Sequence, residues 1–160
     1  MPEEPLIVSA CLVGVDCRLD GGHNSRVTVH LDRRFRLVPV CPEQLGGLST
    51  PRSAAEIQGG AGDEVLDGLA RVVTKGGEDV TARFVAGAEE TVRIAQLVGA
   101  GRAVLKARSP SCGVGRTYDG SFCHRLRDGH GVTAARLLRV GVEIRTEEDL
   151  GDWAGPGIGG

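Results

Sequence analysis

Three short apolar runs each stop at a turn that carries a cysteine, and this repeated build constrains the fold more than any other feature of the chain. Leu6-Ile7-Val8 opens into Ser9-Ala10-Cys11, Leu37-Val38-Pro39-Val40 ends in Cys41-Pro42-Glu43, and Ala103-Val104-Leu105 leads into Ser109-Pro110-Ser111-Cys112-Gly113. Short β-branched runs bounded by turn residues read as buried strands. In an open α/β sheet, ligands bind in the crevice beyond the carboxyl ends of the strands, so thiols at three such ends converge from distant sequence onto one site. Proline after Cys41 disfavours helix at the cysteine and stops the strand. In an extended segment Cys41 and Glu43, two apart, point to the same face.

The rest of the pattern supplies a frame for these runs. A chain of 160 residues is of single-domain size,. With 41% apolar but only 3% aromatic residues, its core is built from Val, Leu, Ile and Ala, which suits a β-branched sheet under Ala-rich helices,. Asp79 reads as the N-cap of a helix to about Val98, striped by Phe84, Ala88, Val92 and Ala95,. Gly131 to Val140 reads as a second helix, with Val132, Ala135 and Leu138 toward the sheet and Gly141 closing it, before a last strand at Val142-Glu143-Ile144,. Ala55–Gln58 and Leu69–Val73 form a peripheral hairpin, and Tyr118-Asp119-Gly120 a turn,. The expected fold is α/β, a single domain with an open, mostly parallel sheet and helices on both faces in a Rossmann-like three-layer arrangement. Residues 1–150 make the domain, and 151–160 a flexible glycine-rich tail that Trp153 alone is able to pin.

Charge and cysteine usage narrow the function. Nineteen basic against 21 acidic residues give a net charge of -2 without a basic stripe, which speaks against DNA or an anionic membrane as partner and argues against thiolated RNA,. An acidic start and the lack of any run near the roughly 20 apolar residues of a membrane span give a cytoplasmic expectation. Five cysteines, with no C-x-x-C pair, do not read as a disulfide framework,. Reduced thiols gathered at strand ends suit zinc or an iron–sulfur cluster, against the plainer reading of each cysteine as a small buried residue. His23 and His30 sit beside turns and read as surface residues, and Arg18, Arg26, Arg52 and Arg116 are candidates for a phosphate,.

The same residues carry a resemblance. Ser9-Ala10-Cys11-Leu12-Val13-Gly14, Arg18 to Gly22, Val40-Cys41-Pro42-Glu43-Gln44, Thr50-Pro51-Arg52, Glu56-Ile57, Leu105-Lys106, Ser109 to Gly113, Tyr118-Asp119-Gly120 and Gly131-Val132-Thr133-Ala134 resemble, in order, the pattern of the DUF523 family. That family includes thiouracil desulfidases, and the resemblance implies iron–sulfur-dependent, non-redox desulfuration of thiouracil or 4-thiouridine monophosphate to uracil or UMP plus hydrosulfide. It implies Cys11, Cys41 and Cys112 as the three protein ligands of a 4Fe-4S cluster, the fourth iron being open to the substrate sulfur. It also implies Glu43 as the carboxylate that activates water, and Ser109 as the group that orients water or substrate. Cys17 stands outside this ligand set and Cys123 reads as a bystander, while Leu19 replaces a tyrosine that the family often has before Asp-Gly. Two alternatives stand beside this reading: a non-catalytic zinc or nucleotide-binding module using Cys11, Cys17, Cys41 and Cys112, and a thiol reductase using Cys11 and Cys17.

Overall fold

The computed structural model describes residues 3–22 and 31–155. Strand β1 (Glu4–Ser9) runs into a short 3-10 turn (Ala10–Val13), and β2 (Phe35–Val40) into the one-turn helix α1 (Pro42–Leu45). There follow β3 (Ala55–Gln58), α2 (Gly62–Leu66), β4 (Arg71–Thr74), α3 (Thr81–Val98) and β5 (Arg102–Leu105). The chain closes with β6 (Arg116–Tyr118), β7 (Leu126–Asp128), α4 (Val132–Arg139), β8 (Glu143–Thr146) and a 3-10 turn at Gly151–Trp153. His23, Arg26 and His30 lie outside the described residues. Among the described residues no helix is long and apolar enough to cross a membrane.

Four strands form one parallel sheet in the order β2-β1-β5-β8. Leu6 pairs with Leu37, Ile7 with Ala103 and Leu105 with Thr146, so the three apolar runs of the sequence lie side by side and point the same way. The chain steps outward from β1 to β2 and then returns across β1 to reach β5. The strand order therefore reverses between β1 and β5, and the loops leaving their carboxyl ends diverge to open a crevice.

The two-residue period of the strands divides the core. Ile7, Ala103 and Leu105 face the amphipathic helices, packing with Val92 and Ala95 of α3 and with Ala134 and Leu137 of α4,. Leu6, Val8 and Val104 face the other way, against Leu12, Leu31, Phe35 and Trp153. Each strand side chain here is fully buried, which is worth about 1.5–3 kcal/mol for each Val, Leu or Ile relative to exposure,. The three-layer arrangement is thus present with α3 and α4 as one outer layer, while short 3-10 turns and loops, rather than long helices, make the other. A third cluster, with Ile57, Val72, Phe84 and Val132, seats the antiparallel β3–β4 hairpin on α3.

Several boundaries differ from the sequence reading for definite reasons. Helix α3 begins at Thr81, and Asp79 Oδ1 accepts the Thr81 N–H at 2.9 Å, so the acid satisfies a helix-start donor from just outside the helix,. On α4 Val132 and Ala135 are buried as the stripe implied, but its third place is taken by Leu137, which is buried, whereas Leu138 is 41% exposed. The fraying expected from Gly151 does not begin there. Trp153 is fully buried, its carbonyl accepts the Asp32 N–H at 2.9 Å, and the Arg145 guanidinium stacks 4.3 Å from its ring centroid,. The described fold therefore includes this segment through Gly155.

One close approach positions the end of β2. A Cβ on Gly87 of α3 would collide with the Pro42 carbonyl oxygen, and one on Gly46 would collide with the Arg83 carbonyl oxygen. Two glycines thus let the backbone of α1 rest on α3, which sets where Cys41 and Glu43 stand. Alanine at Gly87 gains about 1 kcal/mol of helix propensity against an overpacking cost of about 1–3 kcal/mol, so Gly87→Ala is expected to lower stability by a net of up to about 2 kcal/mol. Denaturant midpoints check this, and an unchanged or raised midpoint contradicts the close packing of α1 on α3.

Candidate functional site

The crevice at the carboxyl ends of β2, β1 and β5 is a cavity of about 570 Å³. Cys11 enters it from the 3-10 turn after β1, Cys41 from the junction of β2 and α1, and Cys112 from the turn after β5. Cys17 lines it as well, from the loop that follows Gly14. The convergence expected of the three strand-end thiols is therefore present at the level of one shared cavity. Cys123 is exposed and is not among the lining residues.

Cys11, Cys17 and Cys112 are buried and Cys41 is half-buried. Desolvation first, and then like-charge repulsion from the neighbouring Cys41 and Cys11, push the Cys17 thiol up to about 12, with Arg52 opposing,. Burial likewise pushes Cys112 up to about 12, against hydrogen bonds from Ser9 and Ser111 that favour its thiolate. Among the described residues no group of three or more His, Cys, Asp or Glu converges tightly enough to hold a single metal ion. The thiols are instead distributed around the cavity wall. Thiolates are donors that both a zinc ion and an iron–sulfur cluster take, so the residues lining the cavity fit either group,. A cation in the cavity would also remove the penalty that burial places on ionising these thiols.

A carboxylate is fixed among them. Cys41 is extended, but Pro42 occupies the first position of α1, where its missing N–H costs nothing, and Glu43 falls in that first turn,. The extended Cys41–Glu43 segment read from the sequence is corrected on this point: both residues reach the cavity, yet through a helical turn rather than strand alternation. Glu43 Oε1 pairs with Arg52 Nε at 3.0 Å, and Glu43 Oε2 accepts a hydrogen bond from Ser111 Oγ, also at 3.0 Å. Ser111 Oγ in turn lies 3.7 Å from Cys112 Sγ. The carboxylate and the thiol are thereby joined through a hydroxyl that is 1% exposed.

Arg52 is committed to this network. Its side chain is 8% exposed; Nη2 donates to the Cys17 carbonyl at 2.9 Å and Nη1 to Thr50 Oγ1 at 3.0 Å. The phosphate-binding role considered for Arg52 is not supported by this geometry, since the guanidinium is already shared between a carboxylate and the loop that carries Cys17. Arg116 is exposed and pairs with Asp128 at 3.6 Å, and does not line the cavity. Arg18 does line it, and pairs with Asp20 at 3.3 Å.

Ser109 has a structural task. Its Oγ accepts the N–H groups of Ser111 at 3.1 Å and Cys112 at 3.0 Å, closing the turn, and lies 3.0 Å from Ser111 Oγ. Ser111, and the pairing of Arg52 with Glu43 rather than with a phosphate, are what sequence reasoning did not find. A serine between Pro110 and Cys112, or an arginine after a proline, carries no local signal for a partner 68 residues away, as Ser111 has, or 9 away, as Arg52 has. Lys106 and Arg108 also line the cavity, paired with Glu147 and Glu148 respectively.

With this geometry in view, comparison with known proteins decides the family. The model of a family described as 2-thiouracil desulfurase matches residues 6–149. The chain belongs to the 2-thiouracil desulfurase family, a family of enzymes. The uncharacterized protein YbbK of Bacillus subtilis (strain 168) is 44% identical over 149 residues, covering 92% of this chain and 98% of the relative. A solved structure of the 4Fe-4S-dependent thiouracil desulfidase TudS, itself labelled DUF523, superposes with a TM-score of 0.80 at 37% identity, over 94% of this chain and 95% of that one. The resemblance carried by the sequence motifs and the α/β fold read from the strand runs both agree with these relatives.

The raised thiols have a consequence for the metal-free protein. A thiol whose folded value lies above its unfolded one contributes stability that is complete below the ordinary value of 9.0 and is lost as pH climbs toward about 12, because only the unfolded chain ionises freely in between,. Denaturant midpoints of metal-free protein at about pH 7 and about pH 10 are expected to fall with rising pH, and the fall is expected to shrink in Cys17→Ala. A slope indifferent to Cys17 contradicts the burial of that thiol.

Proposed function

We propose that the protein hydrolyses the C–S bond of thiolated uracil derivatives, with Cys11, Cys41 and Cys112 as the three protein ligands of a 4Fe-4S cluster and Glu43 as the base. The observation that carries this reading is the Glu43 carboxylate held by Arg52 at one oxygen and by the Ser111 hydroxyl at the other, with that hydroxyl oxygen 3.7 Å from Cys112 Sγ, which sets one fixed carboxylate beside a thiol of the cavity. Similarity to TudS supports the cofactor and the substrate class. Three protein thiolates would leave one iron of such a cluster without a protein ligand, and that iron would supply Lewis-acid polarisation of a thiocarbonyl.

The chain's own groups supply the rest. Glu43 takes a proton from water as the water oxygen bonds to the ring carbon that bears sulfur. As the C–S bond breaks its electron pair leaves with sulfur, the proton held at Glu43 passes to that sulfur, and the second proton of the water is released as the carbonyl forms, giving uracil, hydrosulfide and one proton without net redox change. Arg52 acts as a positioning residue, holding Oε1 so that the carboxylate keeps one fixed edge toward the cavity. Ser109 shapes the turn and orients Ser111, whose hydroxyl is placed to steer the proton at Oε2. Cys17 stays outside the ligand set, since a fourth protein thiolate would close the open iron. Its place in the same cavity is what a four-cysteine zinc site would draw on, and Cys17→Ser separates the two: iron retained in the first case, metal lost in the second.

The cavity is within the roughly 300–1,000 Å³ of small-molecule sites, and the cations around it leave both a free base and a nucleotide as substrates to test. Anaerobic, iron-loaded protein is expected to release sulfide stoichiometrically with desulfurated product from 2-thiouracil, thiouridine or 4-thiouridine monophosphate. Glu43→Gln is expected to keep its iron and lose about 100-fold or more of turnover, as removal of a general base does. Iron-loaded protein that releases no sulfide from any of the three contradicts the proposal, and loss of iron in Glu43→Gln makes that residue structural.

A further inference from the structure

The cavity has a second contributor, which the strand-end thiols do not explain. The antiparallel β6–β7 ribbon stands apart from the parallel sheet, yet Tyr118 at the end of β6 and His124 just before β7 both line the thiol-bearing cavity. Their rings meet edge to face, with centroids 6.2 Å apart and planes at 83°. Tyr118 is half-buried and His124 exposed, so this contact is not core packing. The aromatic pair of the core, Phe35 and Trp153, lies on the face of the sheet away from α3 and α4 and does not line the cavity. In a chain with a single tyrosine and 3% aromatic residues, a ring pair placed at the cavity needs its own account.

The loop between these rings is held firmly. Glu56 Oε1 accepts the N–H groups of Gly120 at 2.9 Å and Phe122 at 3.1 Å, and Gln58 Nε2 donates to the Gly120 carbonyl at 3.0 Å. Gly120, at φ 93°, lies so close to the β3 backbone that a Cβ would come within 2.6 Å of the Ile57 carbonyl oxygen. Phe122 and His124 both take left-handed backbone at φ 58°, and the third described non-glycine residue in that region, Arg108 at φ 67°, also lines the cavity. Such backbone is unfavourable for residues with a Cβ and persists where the surroundings over-determine it, characteristically at ligand sites. Here the carboxylate of Glu56 and the contact at Gly120 hold the chain at Gly120 and Phe122, just before His124.

We propose that Tyr118 and His124 form the wall that recognises the flat, conjugated ring of the substrate, and so are specificity-determining residues that select thiolated pyrimidines over non-aromatic thiocarbonyl compounds. The inference rests on the desulfuration proposed above. A heterocycle stacks on or abuts aromatic faces without needing a particular hydrogen-bond pattern, whereas a small thioamide or thiourea offers little area to such a wall.

The test uses anaerobic, cluster-loaded protein, with calorimetric titration of uracil and kinetics on 2-thiouracil and thiourea. Tyr118→Leu is expected to weaken uracil binding and raise KM for 2-thiouracil roughly five- to hundredfold, the range of lost base stacking, with kcat changed less than about threefold and iron content unaltered. Tyr118→Phe is expected to behave as the wild type. His124→Ala, at an exposed position that folding does not depend on, is expected to weaken uracil binding in the same direction. Any residual activity on thiourea is expected to be indifferent to all three. Unchanged uracil binding in both Tyr118→Leu and His124→Ala, or no uracil binding by the wild type, overturns the wall. Uracil bound by the wild type and lost in the variants, with no sulfide released from any thiolated uracil, upholds the wall and overturns the desulfuration instead.

Discussion

Everything at the site depends on β1 being paired in parallel with both β2 and β5. Parallel pairing sends the three strand ends to the same edge of the sheet, and the reversal of strand order between β1 and β5 keeps the loops that follow from closing over one another. Cys11, Cys41 and Cys112 are separated by 30 and 71 residues in sequence, yet each needs only a short turn beyond its strand to reach the shared cavity. The apolar faces then do two jobs. Ile7, Ala103 and Leu105 anchor the strands on α3 and α4, and that same anchoring fixes the strand ends from which the thiols enter the cavity.

The ionic pair of Glu43 and Arg52 has little meaning as a source of stability. Burying two charges costs about as much as their attraction returns, whereas removing one partner leaves the other uncompensated and is strongly destabilising. Its meaning is positional. The Arg52 guanidinium ties Glu43, the Cys17 carbonyl and Thr50 into one unit, and Gly46 and Gly87 let the short helix carrying Glu43 rest directly on α3. The carboxylate is thus held from behind by charge and from below by backbone contact, with its second oxygen left to Ser111.

How much of this was legible in the sequence follows from the range of the interactions. Strands β1, β2 and β5, helix α3 and the β3–β4 hairpin were readable because alternation, helical spacing and turn residues are local signals. The short helix at Pro42 was not, because four residues are too few to show a period, and proline after Cys41 argued for irregular chain. Leu138 looked as apolar as Leu137, and only the packing of α4 against α3 and β8 chooses between them. The β6–β7 ribbon escaped because Arg116-Thr117-Tyr118 and Leu126-Arg127-Asp128 are short and polar, and are strands only by virtue of each other. At the site, the cysteines were visible through their repeated position after apolar runs. Ser111 and the role of Arg52 were invisible, since hydrogen bonds between loops distant in sequence leave no pattern in composition or spacing.

The central claim is that three strand-end thiols hold an iron–sulfur cluster beside Glu43. Anomalous scattering at the iron edge from crystals of anaerobically prepared protein tests it most directly. The account predicts iron density inside the cavity, joined to the sulfurs of Cys11, Cys41 and Cys112 and not to Cys17, with one iron free of protein ligands. Iron bound through Cys17, or zinc held by all four cysteines in anaerobically prepared protein, would contradict it.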